Sequence, residues 1–196
     1  MSAYDGDQFE DHNKERQISS SGSKASVLNS LLELQQLPAI CSDRYISKVS
    51  LTTLRDRTDG LLLVIAAVDN DATRKMCIDV LDAAPGDYLF VTPGNSDADD
   101  PDAAIRGNVL WCGRIDGQTI GILPTLLFPN IEKPRDVMPR KGSCLEHAVS
   151  SPQLIPANSL AAAYTLAVIQ NFLDDCMPAQ ASHMFFNGRT FSTSAN

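Results

Sequence analysis

Gly60–Lys75 reads GLLLVIAAVDNDATRK. Eight apolar residues, Leu61 to Val68, follow one another without a break. A run of that length is expected of a strand buried on both faces, as inside a parallel sheet. It stops at Asp69-Asn70, and a helical spacing begins at once. Asn70 can cap that helix, and Arg74, Cys77, Ile78 and Leu81 recur at its period. The prediction is a central strand followed by a helix over 70–81. A carboxylate at the carboxyl end of such a strand points into the crevice where open α/β sheets bind ligands. On these residues alone, Asp69-Asn70 reads equally as a plain strand-to-helix turn.

Upstream, residues 1–24 are polar, with DGDQFEDHNKERQ followed by SSSGSK. Ser26–Leu37 has an amphipathic pattern with Val27, Leu28, Leu31, Leu32 and Leu34 on one face, and Pro38 follows it. Ala39–Ser50 has strand character at Ile40 and Tyr45–Val49, and Leu51–Asp59 reads as a short helix. Downstream, Pro85-Gly86 stops the 70–81 helix and Tyr88–Thr92 is a second short buried strand. Pro93–Gly107 is an acidic loop with Asp97, Asp99, Asp100 and Asp102. Asn108–Leu123 is a hairpin, its apolar arms flanking the favoured turn Asp116-Gly117. Pro124–Val149 is broken by four prolines into an irregular segment. Ser159–Asp175 is apolar nearly all round at its start and reads as a buried helix, capped by Asn158 or Ser159. The tail carries a small hairpin around Asn187-Gly188. Helix and strand alternate up to Thr92, then come a hairpin and a late helix: an α/β fold with a mixed sheet.

The chain has 196 residues, 43% of them hydrophobic, enough for one domain with a normal core. No apolar run approaches the ~20 residues of a membrane span. The opening residues lack the pattern of a signal peptide. A net charge of −8 argues against a diffuse nucleic-acid-binding surface. The five cysteines, Cys41, Cys77, Cys112, Cys144 and Cys176, form no CxxC pair. That spacing suits a reducing cytoplasm and opposes a disulfide scaffold or structural zinc.

Several stretches together resemble one family, the E1-like (ThiF/MoeB-type) adenylyltransferases. Asp5-Gly6-Asp7…Asn13-Lys14-Glu15-Arg16-Gln17 is similar to the family pattern D-x-D-x-V…N-L-x-R-Q. Gly22-Ser23-Lys24 is similar to its G-x-x-K, one residue tighter. Asp69-Asn70…Arg74 matches D-N-x-x-x-R. Pro93-Gly94-Asn95, Gly117-Gln118, Gly142-Ser143-Cys144 and Asn158-Ser159-Leu160-Ala161 then follow in the order found in small bacterial and phage ThiF-type proteins. The likeness covers nearly the whole chain: residues 1–175 as the adenylation domain and 176–196 as the tail. It implies a Rossmann-like mixed sheet with flanking helices, a β-hairpin and a buried C-terminal helix.

The resemblance also implies a chemistry. ATP and Mg²⁺ would activate the C-terminal carboxylate of a ubiquitin-like or sulfur-carrier protein as an acyl-adenylate. An anionic nucleophile must approach an anionic phosphate, so the pocket must supply positive charge. By resemblance Arg16 and Lys24 supply it, although on the residues alone they are two solvated cations in a polar leader. Asp5 would take the ribose hydroxyls, with Asp7, Asn13, Gln17 and Asn70 lining the nucleotide site, and Asp69 would hold Mg²⁺. Arg74 reads as structural. Cys144, with Arg140, Lys141 and His147 near it in sequence, is either a thioester- or persulfide-forming nucleophile or an ordinary exposed thiol. Cys41, Cys77, Cys112 and Cys176 lie in or beside apolar runs and are expected to be buried and inert.

The family's opening strand, G-x-G-G-x-G turn and helix have no counterpart here, and no G-x-G-x-x-G occurs anywhere. The expectation is an N-terminally truncated version of the fold: a fragment, a chain with a misassigned start, or a reduced paralogue. A homodimer or a heterodimer with another E1-like chain is implied, with no nucleic acid and no membrane. The alternative to an active enzyme is a catalytically inactive E1-like subunit that binds a partner. A nicotinamide-dependent dehydrogenase shares the layout but does not account for the N-x-x-R-Q and Lys24 pattern.

Overall fold

Ser2 to Tyr4 form a strand, β1, that pairs in parallel with Ile40–Ser42, β2. The computed structural model to which they belong describes residues 1–9, 22–95, 106–139, 155–177, 182–187 and 192–195. The chain divides into two compact units, Met1–Ser47 with Pro139–Ser150, and Lys48–Met138 with Ser151–Asn196.

In the first unit, helix α1 (Lys24–Leu34) carries the chain from β1 to β2. Ser23 starts the helix two residues earlier than the apolar spacing implies: its side chain accepts from the Ser26 N–H at 3.4 Å. The helix ends at Leu34, and Gln36 then takes a left-handed φ of 56°. The expected apolar face is not a core face, since Leu28, Leu31 and Leu34 are exposed and Ala25 is the buried residue of the helix. Tyr45–Ser47, expected as strand, is irregular.

The second unit begins with α2 (Lys48–Asp56), then β3 (Leu62–Ile65), α3 (Asp71–Ala83), β4 (Tyr88–Asn95) and β5 (Arg106–Ile115). β6 (Gln118–Gly121) follows. Two short helices come next, α4 (Pro124–Leu127) and α5 (Pro129–Glu132), inside the segment expected to be irregular. Helix α6 (Ile155–Leu173) and strands β7 (His183–Asn187) and β8 (Ser192–Ala195) complete it. The strands form one mixed sheet in the order β3-β4-β5-β7-β8, with β6 also on β5. β3 and β4 are parallel; the β4–β5, β5–β6, β5–β7 and β7–β8 pairs are antiparallel. Asp116 and Gly117 turn the β5–β6 hairpin with φ of 50° and 75°, the double left-handed geometry that Asp-Gly favours. The β4–β5 ladder runs to Asn95↔Gly107, so strand replaces the outer ends of the expected acidic loop. The tail hairpin is part of this sheet, because β7 pairs with the first half of β5.

Side-chain alternation sorts the sheet into two faces. Leu89, Val91, Val109 and Trp111 share one face and pack with Val168 of α6. Thr92 lies on the other face, where its hydroxyl accepts from Arg74 Nε of α3 at 3.1 Å. The sheet is thus layered between α6 and α3, an arrangement that buries the β4–β5 centre completely. α6 begins four residues before the expected start. One stripe of it (Ala157, Ala161, Thr165 and Val168) is buried, while Ala162, Leu166 and Leu173 are exposed, so it is not buried all round.

The decisive correction concerns the opening stretch. Its strand is four residues long and, among the described residues, lies at the sheet's edge, not its centre. Leu62 and Val64 are half-buried, whereas Leu63 and Ile65 stay exposed. An unbroken apolar run describes what a strand needs covered, not what covers it. The helix that follows starts where the spacing predicts: Asn70 caps it, its Oδ1 accepting from Thr73 N–H at 2.8 Å.

Arg74 fixes the junction of strand and helix. Its guanidinium donates to the carbonyl of Val68, to the carbonyl of Pro93 at 3.4 Å, to Thr92 Oγ1, and to Asp71 Oδ1 at 2.8 Å. Replacement by methionine keeps the stem and leaves those oxygens unpaired in a half-buried setting. Arg74→Met is expected to lower stability by about 2–4 kcal/mol. Arg74→Lys should recover little of it, since one ammonium cannot span so many acceptors. The urea midpoint of each variant, at unchanged slope, is the measurement.

Candidate functional site

At the carboxyl end of β1, Asp5 extends the ladder by one bond, its N–H donating to the Ser42 carbonyl at 3.1 Å. Its side chain then turns the chain, Oδ1 accepting from the N–H of Asp7 at 2.9 Å, the two-residue reach typical of aspartate. Asp7 is the hub. Tyr45 donates its hydroxyl to Asp7 Oδ1 at 2.5 Å, and Lys24 Nζ donates to Oδ2 at 3.0 Å. The Lys24 N–H also donates to the Asp7 carbonyl at 3.1 Å, so the lysine is held by main chain and side chain together. Lys24 opens α1, which places its charge at the carboxyl end of β1.

Gly6, between the two aspartates, has no room for a side chain. A Cβ there would lie 2.8 Å from the Tyr45 ring, closer than any real contact. The ring therefore lies flat against the β1 turn with its hydroxyl on Asp7. Burial pushes the Asp7 carboxyl up, but the Tyr45 hydrogen bond and the Lys24 bond and charge outweigh it. The net effect holds its pKa below the ordinary 3.8. No local pattern in the sequence marks Tyr45 as a site residue: only the β1–β2 pairing brings it to Asp7.

The second unit carries the other predicted carboxylate. Asp69 is exposed at the end of the segment leaving β3, and among the described residues it makes no hydrogen bond or ion pair. The α3 N-terminus beside it is fully served. Besides the Asn70 cap, the Asp71 and Ala72 N–H groups donate to the two oxygens of Asp136 at 2.7 and 2.9 Å. Asp136, far away in sequence, thus occupies the position where a helix start attracts an anion. Asn70, expected at the nucleotide, has its side-chain oxygen committed to the helix cap.

Asn13, Arg16, Gln17 and Cys144 lie outside the described residues, as does His147. The structure brings together Asp5, Asp7 and Lys24 in one unit, and Asp69 and Asn70 in the other. Among the described residues no group of three or more His, Cys, Asp or Glu could hold a metal ion. Asp69 by itself suits a hard ion such as Mg²⁺, which takes one or two carboxylates and fills its remaining positions with phosphates and water. Cys77 and Cys112 are buried as expected, and burial pushes both thiols up to about 12. Cys176, expected to be buried, is exposed, because α6 has already ended and the chain there has left the sheet.

This geometry sits on a fold seen before. No family model matches the chain, and no curated protein matches it in sequence. Solved structures do. All of the chain superposes on PaaA with a TM-score of 0.58 at 10% identity, covering 55% of that protein. It superposes equally completely on MccB of E. coli, with a TM-score of 0.55 at 14% identity and 54% coverage. The fold is therefore Rossmann-like, of the ThiF/MccB type. The chain spans about half the length of each of these proteins.

The Asp7 arrangement makes a testable statement about acid. A carboxyl whose pKa is lowered on folding contributes stability above its unfolded pKa, and that contribution disappears as the pH falls through the folded value. Asp7→Asn is expected to flatten the acid limb of the stability curve below about pH 4. At neutral pH it should lose up to about 1 kcal/mol, since the pair is partly exposed. Urea midpoints measured against pH for both proteins test this. Gly6→Ala should lower stability by about 1–3 kcal/mol by displacing the Tyr45 ring.

Proposed function

We propose that the chain carries the nucleotide-binding part of an E1-like adenylation site. It would bind Mg-ATP, and the C-terminal carboxylate of a ubiquitin-like or sulfur-carrier protein would attack the α-phosphate. An acyl-adenylate forms and pyrophosphate leaves. The observation that carries this reading is the Asp5–Asp7–Lys24 constellation: two carboxylates at the end of a parallel strand and a lysine opening the next helix, held within hydrogen-bond reach. Fold likeness to MccB and PaaA supports it at the level of architecture.

The roles follow from the residue types. Asp5 would accept from ribose hydroxyls, as acidic residues beyond a strand do in nucleotide folds. Lys24 offers an ammonium to the triphosphate. A charge pair at ~4 Å and an effective dielectric of ~20 is worth roughly 4 kcal/mol before desolvation. Until nucleotide arrives, Asp7 keeps that ammonium in place, and Tyr45 keeps Asp7 in place. Arg16 would add a second cation, and Asn13 and Gln17 further contacts. Asp69 would hold Mg²⁺, which screens the phosphate charge. If a transfer step follows, the Cys144 thiolate would attack the acyl-adenylate carbonyl, forming a thioester as AMP leaves.

A second reading is favoured by one observation. The Lys24 charge is already matched by Asp7, at 3.0 Å. A chain so equipped also suits an inactive E1-like subunit that positions a partner, in a dimer with another E1-like chain. ATP–pyrophosphate exchange in the presence of candidate carrier proteins separates the two. Exchange by the chain alone, reduced about 10²–10³-fold in Lys24→Ala and in Asp69→Ala, is the result expected of the enzyme. Exchange that begins only on mixing with a second E1-like chain identifies the subunit. No exchange under either condition removes the adenylation reading.

A further inference from the structure

The Lys24 ammonium is already engaged in the folded chain. Its Nζ lies 3.0 Å from Asp7 Oδ2, and the lysine side chain is only 20% exposed, so water solvates little of it. A ligand that binds through Lys24 must take the ammonium away from a carboxylate. How hard that exchange is depends on what becomes of Asp7 afterwards. Among the described residues the Asp7 side chain has two partners, one on each oxygen: Lys24 on Oδ2 and the Tyr45 hydroxyl on Oδ1. When Lys24 turns to a phosphate, Oδ2 loses its ammonium and Asp7 stays charged in a turn where its side chain is 42% exposed. Water serves the open part; Tyr45 serves the rest.

A donor matters more to a partly buried charge when fewer donors share it. The Tyr45 hydroxyl therefore stabilises the state without Lys24 more than the state with it. Burial works to raise the Asp7 pKa, and of the contacts that lower it the Tyr45 bond is the largest single one. The phenol is also held independently of the exchange. Its ring lies against Gly6, where a Cβ would be 2.8 Å away. The Lys24 N–H donates to the Asp7 carbonyl at 3.1 Å, so the turn and the start of α1 stay joined whichever way the ammonium points. Only the lysine side chain has to move.

We infer that Asp7 and Tyr45 set a charge threshold on Lys24: Asp7 holds the ammonium against weakly charged anions, and Tyr45 stabilises Asp7 once a polyphosphate has taken it. This rests on the reading of Lys24 as a phosphate ligand and adds a selectivity to it. A single phosphate carries about −1.5 to −2 at neutral pH, little more than the carboxylate it must displace. Each further phosphate adds charge, so a triphosphate crosses the threshold and a lone phosphate gains little. Tyr45 is a positioning residue here, acting on the ligand only through Asp7.

Calorimetric titration of the full chain with inorganic triphosphate, and separately with inorganic phosphate, tests this. Tyr45→Phe keeps the ring against Gly6 and removes only the hydroxyl; triphosphate affinity should fall about threefold to tenfold. Asp7→Asn releases the ammonium and still offers Tyr45 an acceptor. Triphosphate affinity should then rise about threefold, and phosphate affinity by a larger factor, so that the preference between the two narrows. Added to Asp7→Asn, Tyr45→Phe should change either affinity by less than about twofold, because the hydroxyl has no carboxylate left to stabilise. The opposite signs of the two single variants are the decisive readout, since a merely structural Tyr45–Asp7 contact would weaken binding in both. Asp7→Asn that weakens triphosphate binding, or Tyr45→Phe that leaves it unchanged, overturns the threshold and leaves the phosphate role of Lys24 standing. Triphosphate binding that survives Lys24→Met unchanged, or that is absent from the parent and every variant, removes that role and the threshold with it.

Discussion

The parallel contact between β3 and β4 is the constraint on which the second unit depends, and Arg74 makes it single-valued. Parallel pairing alone leaves the exit of β3 free to splay. The guanidinium closes it by joining the Val68 carbonyl to Thr92 and Pro93 of β4 and to Asp71 of α3. Thr92 is engaged on both sides, since its hydroxyl also donates to the Ala66 carbonyl at 2.8 Å. The direction in which Asp69 leaves the strand, and the height at which α3 begins, follow from this knot. Asp136 then secures the helix start from the far side of the chain.

Two other arginines are used in the same manner. Arg55, buried at the end of α2, donates to the carbonyls of Asp87, Thr58 and Gly60. Arg114 donates to those of Asp82, Ala84 and Gly86 at the end of α3, and lies over the Tyr88 ring. Carbonyls at helix ends and turns are the groups that secondary structure leaves unpaired. A planar five-donor head serves several of them from one stem. In the first unit the same economy appears with opposite sign: one carboxylate, Asp7, receives a phenol and an ammonium and so fixes β1, α1 and the β2–α2 connection together.

The layout was legible where the signal is local. The α3 helix and its Asn70 cap, the β5–β6 hairpin at Asp116-Gly117, and the helix near the C-terminal end all follow from periodicity and turn chemistry. Elements failed where burial is decided elsewhere in the chain. The run Leu61–Val68 has the composition of a central strand, but its neighbours, not its own residues, determine whether it is covered. Leu28, Leu31 and Leu34 make a correct helical stripe that no part of the described core meets. Of the candidate site, Asp5, Asp7 and Lys24 were readable through resemblance of motif, and the structure joins them. Tyr45 and Asp136 were not, because each reaches its partner only through folding.

The order of strands in the sheet differs from their order along the chain. β5 is paired on one side by β4, its immediate predecessor, but half of its other side is closed by β7, which is synthesised only after α4, α5 and α6. Val109 and Leu110, wholly buried in the finished protein, lie in that half. During translation the first half of β5 therefore lacks its partner on that side until β7 emerges. A ribosome pausing within α6 would hold the chain in that adhesive state, where retention by a chaperone competes with premature self-association.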